Sequence, residues 1–206
     1  MTRVVKQASV RREEIIRCAK EYFQTQNFEK FTIQHLMEKL KIAKGTIYHH
    51  FASKGEILEA VVENIVDEEM IRKLELLKEH KGLKPLEKLT LLITESNIAQ
   101  DNAKLLKNLH HPENVGIHSR QLARIILKVA PLYASVIREG CKEGVFKTKN
   151  PVESAELLLA GIQFLTDEGF YSWDEEQLNR RMEAFPSLIE NLLVAPAGSF
   201  NFLKNN

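Results

Sequence analysis

Residues 44–54, KGTIYHHFASK, concentrate groups that suit a polyanion. Lys44 and Lys54 supply charge, and Tyr48 and His50 supply hydrogen-bond donors for phosphate oxygens. Thr46 can bond a base edge or pack on a thymine methyl. Gly45 has no side chain, so the backbone there can approach a sugar-phosphate strand closely. Ser53 is the expected N-cap of a following helix, whose free N–H groups next to Lys54 form an anion site of their own. Phe51 lies one turn beyond Ile47 and is expected to fill the core. A second cluster, His110, His111, Glu113 and His118, holds possible metal ligands. Their spacing fixes no common helix face, so a solvated loop and no metal are expected. Cys18 and Cys141 stand in neither a metal nor a redox spacing. No P-loop, G-x-G-x-x-G, H-E-x-x-H or G-x-S-x-G occurs, so neither catalysis nor a cofactor has a carrier here.

The elements that must position these residues read at helical period almost throughout. Ile15, Ile16, Ala19, Tyr22 and Phe23 form one stripe, ending near Asn27, a residue that tolerates the left-handed conformation. Thr32 caps a short second helix with Ile33, Leu36, Met37 and Leu40 inside. After a break at Lys41 and Ile42 comes the short helix of the opening stretch. A fourth helix then runs from Ser53 towards Leu77. Two short helices joined by a tight turn, in a three-helix head with a basic arm, are the ingredients of a helix-turn-helix DNA reader. Charge agrees: residues 1–54 carry 11 Lys and Arg against 5 Asp and Glu, although the whole chain has a net charge of only +1. A basic head on an acidic body points to a polyanion partner for the head alone.

Beyond the break KGLKP, helices are expected at about 86–100, 104–109, 119–143, 151–167 and 174–194, with a kink at Pro186. The acidic run near Asp67 reads as the outer face of the fourth helix. The fold class is therefore all-α, a three-helix head with a helix-turn-helix plus a C-terminal helical bundle, about nine helices in all. With 206 residues and 44% apolar content the chain can bury a proper core. Two separated cysteines suit a reducing cytoplasm. No apolar run reaches the roughly 18 residues that a membrane helix requires, and neither a membrane partner nor a secretory leader is expected.

Residues 11–62 resemble the DNA-binding head of the TetR (tetracycline-repressor-like) family of bacterial regulators. The resemblance rests on IIRCAKEYF in the first helix, Thr32 opening the second, and KGTIYHHFASKGEIL. It implies a double-stranded DNA operator read by Thr32, Lys44, Gly45, Thr46, Tyr48, His49, His50 and Lys54. It also implies two domains, 1–54 for DNA and 55–206 for ligand binding and dimerisation. Lys41 stands where the family's turn carries Gly, so a positive φ there would cost about 1 kcal/mol. Ala43 replaces the usual Ser and removes an N-cap, again about 1 kcal/mol.

Dimerisation has separate support. AELLLAGIQFL is apolar nearly all round, and such a helix must be buried on every side. Pairing it and the last helix across a two-fold axis does this, with Leu158, Ile162, Leu165, Phe185, Leu188 and Leu192 at the homodimer interface. A fully internal helix pair in a monomer is the other arrangement. For an effector, the polar groups Ser96, Asn97, Gln100, Tyr133 and Gln163 lie among apolar neighbours and can meet either a ligand or one another. No charge reads as inward-pointing, which favours a small, largely apolar or aromatic effector. A repressor released by that effector is the leading function. An activator or co-regulator answering to a protein partner, and a helical enzyme or carrier, are the alternatives.

Overall fold

The structure, a computed structural model, describes residues 8–26, 28–95 and 102–205. Every regular element among them is helical. In chain order these are α1 (Ala8–Thr25), α2 (Ile33–Leu40), α3 (Lys44–His50), α4 (Lys54–Glu79), α5 (Pro85–Thr94), α6 (Ala103–Leu109), α7 (Val115–Lys142), α8 (Pro151–Leu165) and α9 (Glu175–Leu193). Short 3-10 turns occupy Phe28–Lys30, Pro112–Asn114 and Asn201–Asn205. None of the helices among the described residues is long and apolar enough to cross a membrane.

The chain divides into two compact units, Met1–Glu68 with Ile98–Gln121, and Glu69–Asn97 with Leu122–Asn206. The expected boundary at residue 54 is a division by role, whereas this one is a division by packing. The segment carrying α6 packs with the head although Glu69–Asn97 separate them in sequence. α4 and α7 each contribute residues to both units.

In the first unit the apolar stripe of α1 meets Leu36 of α2, Ile47 of α3 and Ile57, Leu58 and Val61 of α4. Aromatic rings fill the centre, with Phe23 and Phe31 at 4.6 Å and Phe23 and Phe28 at 5.8 Å between centroids. Leu105 and Leu109 of α6 close this core. Asn27 lies outside the described residues.

In the second unit Leu89 and Leu92 of α5, Tyr133 and Ile137 of α7, Leu158 of α8 and Ile189 of α9 share one core. Asp174 caps α9 reciprocally: its Oδ1 accepts the Gln177 N–H at 2.7 Å, and Gln177 Oε1 accepts the Asp174 N–H at 3.2 Å. Phe200 and Leu203, in and before the last 3-10 turn, are buried in the same core, an element the sequence pattern does not announce. α7 starts at Val115, a turn earlier than expected, and holds Pro131 within it.

One expectation about charge fails. The acidic run is not wholly an outer face, because Glu69 is 7% exposed and Lys73 is 4% exposed. They stand one turn apart, with Lys73 Nζ 3.3 Å from Glu69 Oε1. Arg72 adds a bidentate grip on Glu69 at 2.7 and 2.8 Å, and Lys73 donates to the Leu92 carbonyl. Burial alone would raise the pKa of Glu69, but the Arg72 hydrogen bonds and the Lys73 charge outweigh it and hold the group below the usual carboxylate range. For Lys73 burial prevails over the charge of Glu69 and lowers the pKa.

Candidate nucleic-acid interface

The turn between α2 and α3 is built on Lys41, whose backbone is left-handed at φ 54°, ψ 45°. This is the positive φ anticipated at the position, held by a residue that carries a Cβ. The Lys41 and Ile42 N–H groups both return to the Met37 carbonyl and close α2. Ala43 then starts α3 with no side-chain cap, and its carbonyl accepts the Thr46 N–H at 3.0 Å. At the other end of α2 the Thr32 N–H donates to His35 Nδ1 at 3.1 Å, and the His35 ring lies 4.8 Å from that of Tyr22.

α3 sorts its residues by face. Ile47 is fully buried and Phe51, just beyond the helix, is buried against the core. Lys44, Gly45, Tyr48 and His49 are exposed, and Thr46 and His50 are half-buried. Lys44 Nζ sits 5.6 Å from the Tyr48 ring centroid, and the two histidine rings are 5.1 Å apart. Burial first, then the charges of His49, Arg12 and Arg11, lower the pKa of His50. At neutral pH His50 is therefore an uncharged ring that offers one donor and one acceptor. Arg12, absent from the sequence-derived set, places its guanidinium 5.0 Å over the Phe51 ring.

The start of α4 holds its own contacts, which engage one of the first N–H groups of the helix. Glu56 Oε2 accepts the Ala52 N–H at 2.7 Å, and Ser53 Oγ accepts the Glu56 N–H at 3.1 Å. Ser53 is thus the anticipated cap, and the Glu56 carboxylate folds back on the Ala52 N–H just before the helix. Lys54, expected to supply charge, is anchored on the head. Its Nζ donates to the Phe28 carbonyl at 3.1 Å and lies 4.2 Å from the centroid of the Phe28 ring. An ammonium has three N–H donors, so this leaves two for another acceptor.

An exposed helix face with Lys44, Tyr48 and His49, set by a left-handed turn after a short helix, is the geometry of a helix-turn-helix. Comparison with known proteins agrees. Residues 15–61 match the family model for bacterial regulatory proteins of the tetR family. Residues 85–188, half of the chain, match that of the tetracyclin repressor-like C-terminal domain. The chain belongs to the TetR family. Among curated relatives, the HTH-type transcriptional repressor KstR2 of Mycolicibacterium smegmatis is 26% identical over 152 residues, covering 68% of this chain and 70% of that protein. The KstR2 of Rhodococcus jostii is 24% identical over 151 residues, 71% of this chain and 73% of that protein. The fold is similar to that of a transcriptional regulator from Cytophaga hutchinsonii, with a TM-score of 0.65 at 18% identity over 91% of this chain and 98% of that one.

The TetR-family C-terminal domain holds the remaining candidates. Leu158 and Phe185, expected at an interface, are buried in their own unit instead, because α8 and α9 pack on α5 and α7 through that side. Ile162 and Leu192 are half-buried and Leu165 is exposed. The outward apolar side chains include Leu157 at 62% exposure and Leu188 at 58%, with Phe164 and Leu165 exposed at the end of α8. Tyr133 is buried, and its hydroxyl donates to the Leu92 carbonyl at 2.7 Å. Burial, with the Glu69 charge behind it, raises the pKa of that phenol. Gln163 is half-buried, while Ser96, Asn97 and Gln100 lie outside the described residues. The histidine cluster is not a solvated loop throughout. His118 is buried on α7 with its ring tilted against that of His110 at 5.0 Å between centroids, and His111 Nε2 lies 2.8 Å from Glu29 Oε1.

Proposed function

We propose that the chain is a homodimeric transcriptional repressor that binds an operator through α3 and releases it on binding a small effector in the C-terminal domain. The observation that carries the DNA reading is the exposed face of α3, where Lys44, Tyr48 and His49 stand clear of the core while Ile47 anchors the helix beneath them. Thr46, Gly45 and His50 complete that face. Thr32 at the start of α2 and Lys54 at the start of α4 flank it. The KstR2 relatives are named repressors, which favours repression over activation. The effector is a small, largely apolar or aromatic molecule, and the buried charges nearest the second core, Glu69 and Lys73, are taken up by each other, by Arg72 and by the Leu92 carbonyl. α4 and α7 are the continuous helices available to carry its signal, because each has residues in both units.

The test is selection of duplexes from a random double-stranded library by the full-length protein, followed by anisotropy titration between 50 and 200 mM salt. A single enriched motif is expected, with affinity falling by roughly 0.9 decades per decade of salt for each phosphate contacted. No enriched sequence, or binding insensitive to salt, overturns the reading.

A further inference from the structure

Phe28 is held from both sides of its peptide. Asn108 Oδ1 on α6 accepts the Phe28 N–H at 2.9 Å, and Lys54 Nζ donates to the Phe28 carbonyl at 3.1 Å. The Phe28 ring itself is buried and lies under the Lys54 ammonium. Asn108 is 6% exposed, and its amide is fully used. Nδ2 donates to the carbonyls of Phe23, in the last turn of α1, and Gln26, just beyond it, at 3.3 and 3.2 Å, where the helix has no N–H of its own to offer. Its own carbonyl accepts from Asn114 Nδ2 at 2.8 Å. A buried amide that satisfies three groups of one neighbouring segment holds that segment in a single position, since losing any partner strands a polar group away from water. Asn108 therefore places the end of α1 and Phe28, and Phe28 in turn places Lys54.

We infer that Asn108, far from the helix-turn-helix in sequence, is a positioning residue for DNA binding, which sets the Lys54 ammonium towards an operator phosphate through the backbone and ring of Phe28. The inference rests on the proposed DNA reading and on Lys54 as one of its phosphate contacts. A free lysine side chain must be ordered at each binding event. One already tied to a fixed carbonyl and seated on a ring has lost that freedom beforehand.

The experiment uses the duplex selected by the wild-type protein and four full-length variants: Asn108→Leu, Asn108→Asp, Lys54→Met and the double Asn108→Leu/Lys54→Met. Asn108→Leu is expected to weaken binding about tenfold, the loss of one charge-assisted contact. It also lowers the salt slope by roughly 0.9 per head, as Lys54→Met does. The double variant should bind no more weakly than either single one, because both break the same relay. Asn108→Asp keeps the acceptor for the Phe28 N–H but not the donors to α1, so it should melt at a lower temperature and yet retain the salt slope. Should Asn108→Leu fail to fold, Asn108→Ser, too short to reach Phe28, takes its place. An unchanged slope, additive effects in the double variant, or failure of both replacements to fold marks Asn108 as purely structural and overturns the inference. A wild-type protein that selects no duplex overturns the DNA reading instead, so the two failures are distinct.

Discussion

At Gly45 nothing lies within 4 Å of where a Cβ would stand, and the residue is inside α3, where Gly is a poorer helix former than Ala by about 1 kcal/mol. Gly45→Ala should therefore raise the melting temperature and, if the backbone approaches a sugar-phosphate strand there, weaken operator binding. Stability and affinity moving in opposite directions, read by thermal melts and anisotropy, is the expected result; affinity preserved would place Gly45 off the interface. Lys41→Gly should also stabilise the head, by about 1 kcal/mol, because φ 54° costs an L side chain that much. The buried pair in the second unit behaves oppositely. Glu69→Leu takes away the main counter-charge of Lys73 and leaves it the Leu92 carbonyl and the charge of Glu95, a loss of roughly 3 kcal/mol. The sign with pH follows from the lowered pKa of Lys73. The unfolded chain keeps its proton to higher pH than the folded one, so stability rises as pH climbs through the folded value. In the variant this rise should begin at lower pH than in the wild type, in urea melts across neutral to alkaline pH. Residues set by backbone rules were legible in the sequence, Lys41 and Ser53 above all. Glu69 and Lys73 were not, because a Glu and Lys one turn apart look the same on a solvated face and on a buried one. Asn108 was invisible for a related reason: what it satisfies is main chain 80 residues away.

Element boundaries followed from caps and breakers. Ser53, Pro85, Pro151 and Asp174 all stand where the structure starts a helix, since each either supplies an oxygen to the first N–H groups or has no N–H to satisfy; Thr32 stands at the start of α2 too, but with no side-chain cap bond. Helices α8 and α9 show where the pattern stops informing. Their apolar residues go nearly all round, so the sequence says that both faces are covered without saying which leucine faces which way. Adjacent Leu157 and Leu158 ended on opposite sides. The end of α7 has a tighter constraint. The Gly140 carbonyl accepts the N–H groups of Val145 at 2.9 Å and Phe146 at 3.1 Å, folding the chain back on the helix. A Cβ on Gly140 would stand 2.2 Å from Phe146 Cδ2, and that ring is buried with no room to withdraw. Gly140→Ala should cost roughly 1–3 kcal/mol by overpacking, measured by urea unfolding, and Phe146→Leu in the same background should recover part of it. A neutral Gly140→Ala would show that the α7 end can open without loss.

For the whole molecule the exposed apolar face is the feature that calls for a second chain. Leu157 and Leu188, the most exposed side chains of α8 and α9 on that count, would leave a large part of their apolar area in water in a lone subunit, at about 25 cal/mol for each Å² left uncovered. The proposed two-fold dimer would cover the same residues on both copies and would set two α3 helices against half-sites about 34 Å apart, or a multiple of that. Leu157→Glu and Leu188→Glu should therefore act on assembly and not on folding. Each is expected to give a monomer by light scattering, with helical content retained by circular dichroism and operator affinity reduced to that of a single head. Leu158→Glu, one residue away, should instead unfold the second unit, because that side chain is 3% exposed in its own core and a carboxylate there has no partner. The neighbouring pair makes the test self-controlled. If Leu157→Glu stays dimeric while Leu158→Glu unfolds, the face of α8 is correctly placed and the dimer must use another surface; if the wild type is itself a monomer at micromolar concentration, two-headed recognition of the operator falls with it.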